Sequence, residues 1–421
     1  MSEPIADLVI DIDKKLAQLP PIASECCIFK VRDPLRNQSK EAYEPEVVAI
    51  GPYHHGNDKL KPMEDHKLRY LQQFLERNGT SVEKCIVAMR GSEKEARKFY
   101  ADPIILDSNE FVEMMLLDSC FIIQLFHKFR NAELRKDDPI FQLEHIESSI
   151  RRDLMLFENQ LPFFVLMKLF SMPQNPAASL NSFVYKSCEF FKGATPCEPS
   201  VPPFGDLEKL DIKHLLGLLH YCYCHQFHSM VYQSNVPIEK EFLKSATELH
   251  EAGIKFKKDK EGSLFNIKFV NGTIEIPTLE VDDNTESFLR NFIAYENHLP
   301  VHDTSRNYFT AYMNFMDFLV NSSEDVEILS HHGIIHNLLG DNAVVSTMLS
   351  KLGNNIVIPF FGYPEVYNNV NKHCEERWNR WLAILRRDYF NTPWALISFL
   401  AALLLLVLTV VQTIFSILSF V

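Results

Sequence analysis

The chain has 421 residues, a formal net charge of −13, and 46% apolar against 23% charged residues. So acidic a balance excludes nucleic acid as the expected partner, because phosphate binding takes concentrated Lys and Arg. The ordinary apolar share excludes wholesale disorder, and nine scattered cysteines do not form a small secreted disulfide framework.

Residues 1–24 form an N-terminal segment with one short amphipathic helix over 5–19, stopped by Pro20-Pro21. Its acidic residues and broken apolar run do not make a signal peptide. Residues 27–31 and 47–50 read as strands by their β-branched and aromatic content. A loop follows, PYHHGNDKLKP, and then a helix over 63–77 with Leu68, Leu71, Phe74 and Leu75 at helical spacing. Asp107, Ser108 or Asn109 caps the next helix, EFVEMMLLDSCFIIQLFHKF, which is apolar nearly all round and is therefore expected at the centre of a core. Asp118 in its middle then needs a partner. Arg151 or Arg152 is the expected one.

Helices are expected over 144–160 and 163–170, parted by Leu161-Pro162. Residues 171–206 carry six prolines, which predicts long loops around one short helix. A body over 25–390 would divide there into halves, 25–192 and 207–390. Helices over 207–231 and 242–252 precede three short strands, 255–257, 264–270 and 273–276. Asn271-Gly272 joins the last two as a hairpin. Further helices are expected over 284–296, 308–319, 323–330, 342–351 and 363–389. RDLMLFENQLP (152–162) and RNFIAYENHLP (290–300) echo each other in register, as two related helical units would.

The run ALISFLAALLLLVLTVVQTIF is apolar apart from small residues and Gln412. A bilayer core of about 30 Å takes about 20 such residues as a helix, which predicts a transmembrane helix over 394–415. Lys372, Arg377, Arg380, Arg386 and Arg387 crowd its N-terminal side. Positive residues stay on the cytosolic side, so the body is expected in the cytosol on a single-pass tail anchor. Arg386, Arg387, Tyr389 and Trp394 are the expected membrane-interface residues. Four sequons, starting at Asn37, Asn78, Asn271 and Asn321, would report the opposite orientation.

Two clusters invite a metal. His54, His55, Glu64, Asp65 and His66 offer imidazole and carboxylate, but match no HExxH spacing, and a polar loop capping a helix accounts for them. His220, Cys222, Cys224, His225 and His228 are denser. Spacing of four puts His220, Cys224 and His228 on one helical face, but Cys-x-Cys turns its thiols about 200° apart. Burial of small apolar cysteines accounts for these residues, and no metal or cofactor is assigned. The acidic run 282–286 reads as a helix cap with an acidic first turn. There is no nucleophile elbow, P-loop, glycine-rich dinucleotide turn or kinase signature, so no catalytic residue is assigned.

CCIFKV, YEPEVVAIGPYHHG, MEDHKLRYLQQFL, LDSCFIIQLF, DLMLFENQLPFFVL, SATELHEAGIKFKK, TESFLRNFIAYE, MDFLVNSSEDVEIL and GIIHNLLG resemble the signatures of the plant family called domain of unknown function 247, also uncharacterised protein family 0481. The closing WNRWLAILRRDYFNTPWALISFLAALLLLVLTVVQTIF is similar as well, with the apolar span where that family carries it. The resemblance is collinear from Cys26 to Phe415. It implies a mostly helical plant membrane protein without an established activity, and relatives linked to self-incompatibility imply recognition between proteins. Fold and function are therefore expected as follows. The fold is mainly α, a large helical body with a small β element and a C-terminal transmembrane helix. The function is recognition or signalling at a membrane, with the lipid bilayer and an unidentified protein as partners and no small-molecule substrate. The alternative is a membrane-associated metal-dependent enzyme using the His/Cys cluster.

Overall fold

The computed structural model describes residues 3–17, 26–172, 179–207, 210–231, 242–259, 263–300, 307–354, 356, 362–375 and 393–418. The fold is mainly α, with two small sheets and a long apolar C-terminal helix, Pro393–Leu418. At the centre lies the helix Ser108–Phe129, buried almost continuously from Phe111 to Phe126. The helices Pro62–Asn78, Val82–Arg90, Phe163–Phe170 and Leu180–Phe191 pack around it. With neighbours on several sides it needs no single apolar stripe. A capping box starts it: Asp107 accepts from the Asn109 and Glu110 amides, and Glu110 accepts from the Asp107 amide.

The helix Leu215–Val231 packs with Leu180–Phe191 and with Thr285–Glu296, which packs in turn with Tyr308–Leu319. Phe292 stacks on Phe309 with centroids 4.5 Å apart, and Phe265, Phe288 and Tyr223 meet that pair edge-on. Many of the abundant phenylalanines are thus spent in the core.

The hairpin forms where expected. Strand Thr273–Pro277 lies antiparallel to Lys268–Val270 and parallel to Lys255–Asp259, so Ile274 pairs with Phe269 on one side and Phe256 on the other. Asn271 and Gly272 take positive φ, 50° and 76°, as a type I′ turn requires. A second sheet, Leu279–Val281 parallel to Ile335–Asn337, was not foreseen. Three residues per strand are too few for alternation to show.

The two N-terminal strands do not form. Ile28 makes an isolated bridge to Tyr100, and 47–50 has no ladder. The helix expected over 144–160 ends at Leu154, that over 207–231 begins at Leu215, and that over 242–252 begins at Ala246. The helix expected over 363–389 is Pro364–Glu375, and its remainder lies outside the described residues.

Asp118 is paired with neither Arg151 nor Arg152. Lys67, fully buried, places Nζ 2.6 Å from its Oδ1 and 2.7 Å from Glu64 Oε1. Arg151 bonds to Glu147, one turn away on its own helix, and Arg152 donates to the Glu41 and Glu44 carbonyls. Helix packing brings Lys67 onto Asp118 across 51 residues, a juxtaposition that linear spacing does not encode.

Candidate functional site

The densest polar chemistry is buried around the extended segment 44–51. A buried backbone amide needs an acceptor, and with no neighbouring strand these amides find side chains. Asp153 Oδ2 accepts from the Val47 and Val48 amides at 2.7 and 2.9 Å, and Asp153 Oδ1 accepts from Glu46 at 3.0 Å. Asn159 accepts from the Ile50 amide at 2.6 Å and donates to the Val48 carbonyl at 3.0 Å. Asp118 accepts from the Gly51 amide at 2.8 Å, and Lys67 donates to the Ala49 carbonyl at 2.6 Å. Burial pushes the Asp153 carboxyl up to about 6, while the amides and Arg152 pull it back. Burial lowers the Lys67 ammonium, but the Asp118 and Glu64 carboxylates outweigh it and hold Lys67 above its ordinary value. These groups fasten a loop.

The two echoing segments meet in space. Asn291 Oδ1 accepts from the Phe157 amide at 2.9 Å, and the Phe157 ring lies 6.4 Å from Tyr295 and 5.0 Å from His298. Their glutamates do parallel work. Glu158 accepts from the Val31 amide at 2.5 Å and pairs with Arg36, with His54 Nε2 3.6 Å away. Glu296 accepts from the Phe309 and Thr310 amides at 2.9 and 2.7 Å, capping the helix Tyr308–Leu319 with a carboxylate where the dipole favours one.

The His/Cys cluster does not converge. His220 Nε2 is 2.7 Å from Glu296 Oε1, and the Cys224 thiol is 3.9 Å from the same nitrogen. A nucleophile triad needs one imidazole nitrogen for the thiol and the other for the carboxylate. Here both contacts fall on Nε2. Burial raises the Cys224 thiol well above its ordinary value, which leaves it protonated and poor as ligand or nucleophile. Cys222 faces the Cys188 thiol, which together with burial raises it likewise. His225 is turned to Tyr221, with rings 5.8 Å apart. The side chain of His228 lies outside the described residues.

The first cluster is dispersed as well: Glu64 serves Lys67, His54 faces Glu158, and Asp65 is exposed. Among the described residues no three His, Cys, Asp or Glu side chains gather as a metal site. In the acidic run, Asp282 and Thr285 close a turn, with the Asp282 amide donating to Thr285 Oγ1 at 2.9 Å and that hydroxyl to Asp282 Oδ1 at 2.7 Å. An open groove of about 500 Å³ lies between residues 38–41, Glu286 and the helix Asn342–Gly353, lined by Gln38, Glu41, Glu286, Val344, Thr347 and Lys351.

The C-terminal helix differs from all of these. Ile397–Phe415, 19 residues with mean hydropathy 2.5, is long and apolar enough to cross a membrane, and none of it is buried against the body. Trp394 at its start is 77% exposed. Arg386, Arg387 and Tyr389, the other expected interface residues, lie outside the described residues.

A mainly helical body, stapled by buried carboxylates and followed by one exposed apolar helix, is the class of protein that fold and site define. Residues 28–408 match the profile of the plant protein family of unknown function DUF247, and the chain belongs to that family. A protein of uncharacterised family 0481 (UPF0481) from Arabidopsis thaliana is 32% identical, covering 94% of this chain and 87% of its own length. A second, putative UPF0481 protein of the same plant is 23% identical over 91% of this chain and 89% of its own. No solved structure matches.

Proposed function

We propose that this protein is a membrane-anchored recognition or signalling protein that presents its helical body to a protein partner at a membrane surface. The observation that carries the reading is the Ile397–Phe415 helix, with a mean hydropathy of 2.5 and left uncovered by the body. Burying such a surface in hydrocarbon is strongly favourable, at about −0.3 to −0.6 kcal/mol for each Leu, Ile, Val or Phe near mid-bilayer. The basic residues Lys372, Arg377, Arg380, Arg386 and Arg387 ahead of the helix support a cytosolic body. Confinement to two dimensions raises the effective concentration of the body, so weak contacts with another membrane protein suffice. A non-enzymatic role is supported by the use of three buried carboxylates, Asp153 and Glu296 being spent on backbone amides and Asp118 on Lys67.

Two experiments test this. In carbonate-washed membranes the full-length chain stays in the pellet and a chain truncated after residue 392 does not; a full-length chain in the supernatant refutes the anchor. Proximity labelling with the full-length protein in plant cells enriches one defined partner. A diffuse set of membrane neighbours refutes recognition.

A further inference from the structure

The apolar helix is not uniform around its circumference. At about 100° per residue, Ser398, Ala401, Ala402, Thr409, Gln412 and Thr413 fall within about 60° of one line along the helix. Leu405 shares that sector, and every other residue from Ile397 to Phe415 is Leu, Ile, Val or Phe. All the small and polar side chains of the span therefore face one way.

The polar ones are not in the same situation. Thr409 and Thr413 satisfy their hydroxyls inside the helix, each donating at 2.7 Å to the carbonyl four residues earlier. The Gln412 side chain makes no hydrogen bond to any described residue. Its carboxamide carries two donors and an acceptor, and hydrocarbon offers a partner to none of them.

We propose that two copies of this chain pair in the membrane along this seam, with Gln412 of each bonded to its counterpart. This rests on the membrane-anchor reading above. A second copy is the fitting occupant for three reasons. Identical flanking charges insert both copies in the same orientation, so the two Gln412 side chains sit at the same depth. A carboxamide is both donor and acceptor, so it complements itself across a twofold axis, where each residue meets its own kind. Ser398 and Ala402, then Thr409 and Thr413, are small residues four apart, the spacing that lets two helix backbones approach closely. A different helix would have to bring its own polar group to the same depth.

The test uses the full-length protein, carrying a donor or an acceptor fluorophore ahead of residue 1 and reconstituted in phosphatidylcholine vesicles at a fixed protein-to-lipid ratio. Energy transfer exceeds the random-encounter level, and Gln412→Leu weakens association about three- to tenfold. Val411→Leu, on the opposite face, leaves it unchanged. Bismaleimide cross-linking supplies a second readout, in which Thr409→Cys adds dimer over the native-cysteine background and Val407→Cys does not. Unchanged transfer in Gln412→Leu, or equal cross-linking at 407 and 409, overturns the pairing. Carbonate washing separates the two failures. A chain that washes off sinks the anchor and the pairing together, whereas one that stays in the pellet without pairing sinks the pairing alone.

Discussion

Asp153 and Asn291 occupy the same place in the two echoing segments, and the hydrogen bonds explain why one is an acid and the other an amide. Asp153 faces donors only: the Glu46, Val47 and Val48 amides and, at 3.0 Å, Arg152 Nη1. Asn291 faces one donor, the Phe157 amide, and two acceptors, the Ala42 and Ser287 carbonyls at 2.8 and 2.7 Å. Asp153→Asn must therefore aim an NH₂ group at other donors whichever way it turns. It loses at least one charge-assisted bond, worth about 1.5–3 kcal/mol, and leaves a buried amide short of an acceptor, for a total near 3 kcal/mol. That lowers the folded-to-unfolded ratio by about two orders of magnitude. Asn291→Asp sets a carboxylate against two carbonyls and costs about as much at neutral pH. The new acid gains from taking up a proton in the fold, so its folded pKa is raised and its penalty shrinks as pH falls. Urea titration of the full-length protein in mild detergent, followed by far-UV circular dichroism at pH 8 and pH 5, measures both effects. If either single variant stays within about 0.5 kcal/mol of the parent at pH 8, the proposed matching of acid to donors is wrong.

Three further outcomes follow from the same geometry. Lys67→Met leaves Asp118 buried without its cation and costs about 3–5 kcal/mol, and adding Asp118→Leu recovers part of the loss; if the double variant is no better than the single, the pair is not what stabilises the site. Phe309→Ala removes the ring stacked on Phe292 and costs about 3–5 kcal/mol by the same titration, and a loss under about 1 kcal/mol would mean that this core is not packed as described. His214 is buried and its Nδ1 accepts from the Gly217 amide at 3.1 Å, capping the helix Leu215–Val231. Burial lowers its pKa to about 3, below its ordinary 6.5, so its stabilising contribution is complete above pH 6.5 and is lost as pH falls toward 3. By pH 4 that amounts to about 3 kcal/mol. His214→Asn keeps a capping oxygen and does not titrate, so its acid limb is flatter than the parent's, and superimposable pH curves would refute the assignment.

What the sequence determined by itself is what local chemistry decides. An Asp, Ser or Asn cap is legible ahead of the helix Ser108–Phe129, although choosing Asp107 took the structure, Asn271-Gly272 specifies a hairpin turn because both positions need positive φ, and the closing apolar run specifies a helix long and apolar enough to cross a membrane. The collinear family signatures likewise carried family membership, since they are properties of residue order. Only the tertiary structure decided the rest. Residues 47–50 have the composition of a strand, but a strand exists only with a neighbour, and the amides there went to Asp153 and Asn159, more than 100 residues later in the chain. Asp118 announced a need for a cation, but choosing Lys67 over two arginines depended on which helix packed against it. Helix geometry already argued along the chain that Cys222 and Cys224 point apart, and the tertiary structure added which partners they meet and the burial that leaves both thiols protonated. Propensity and capping are short-range and legible in residue order, whereas the pairing of buried charges is a long-range choice that is made when the core closes.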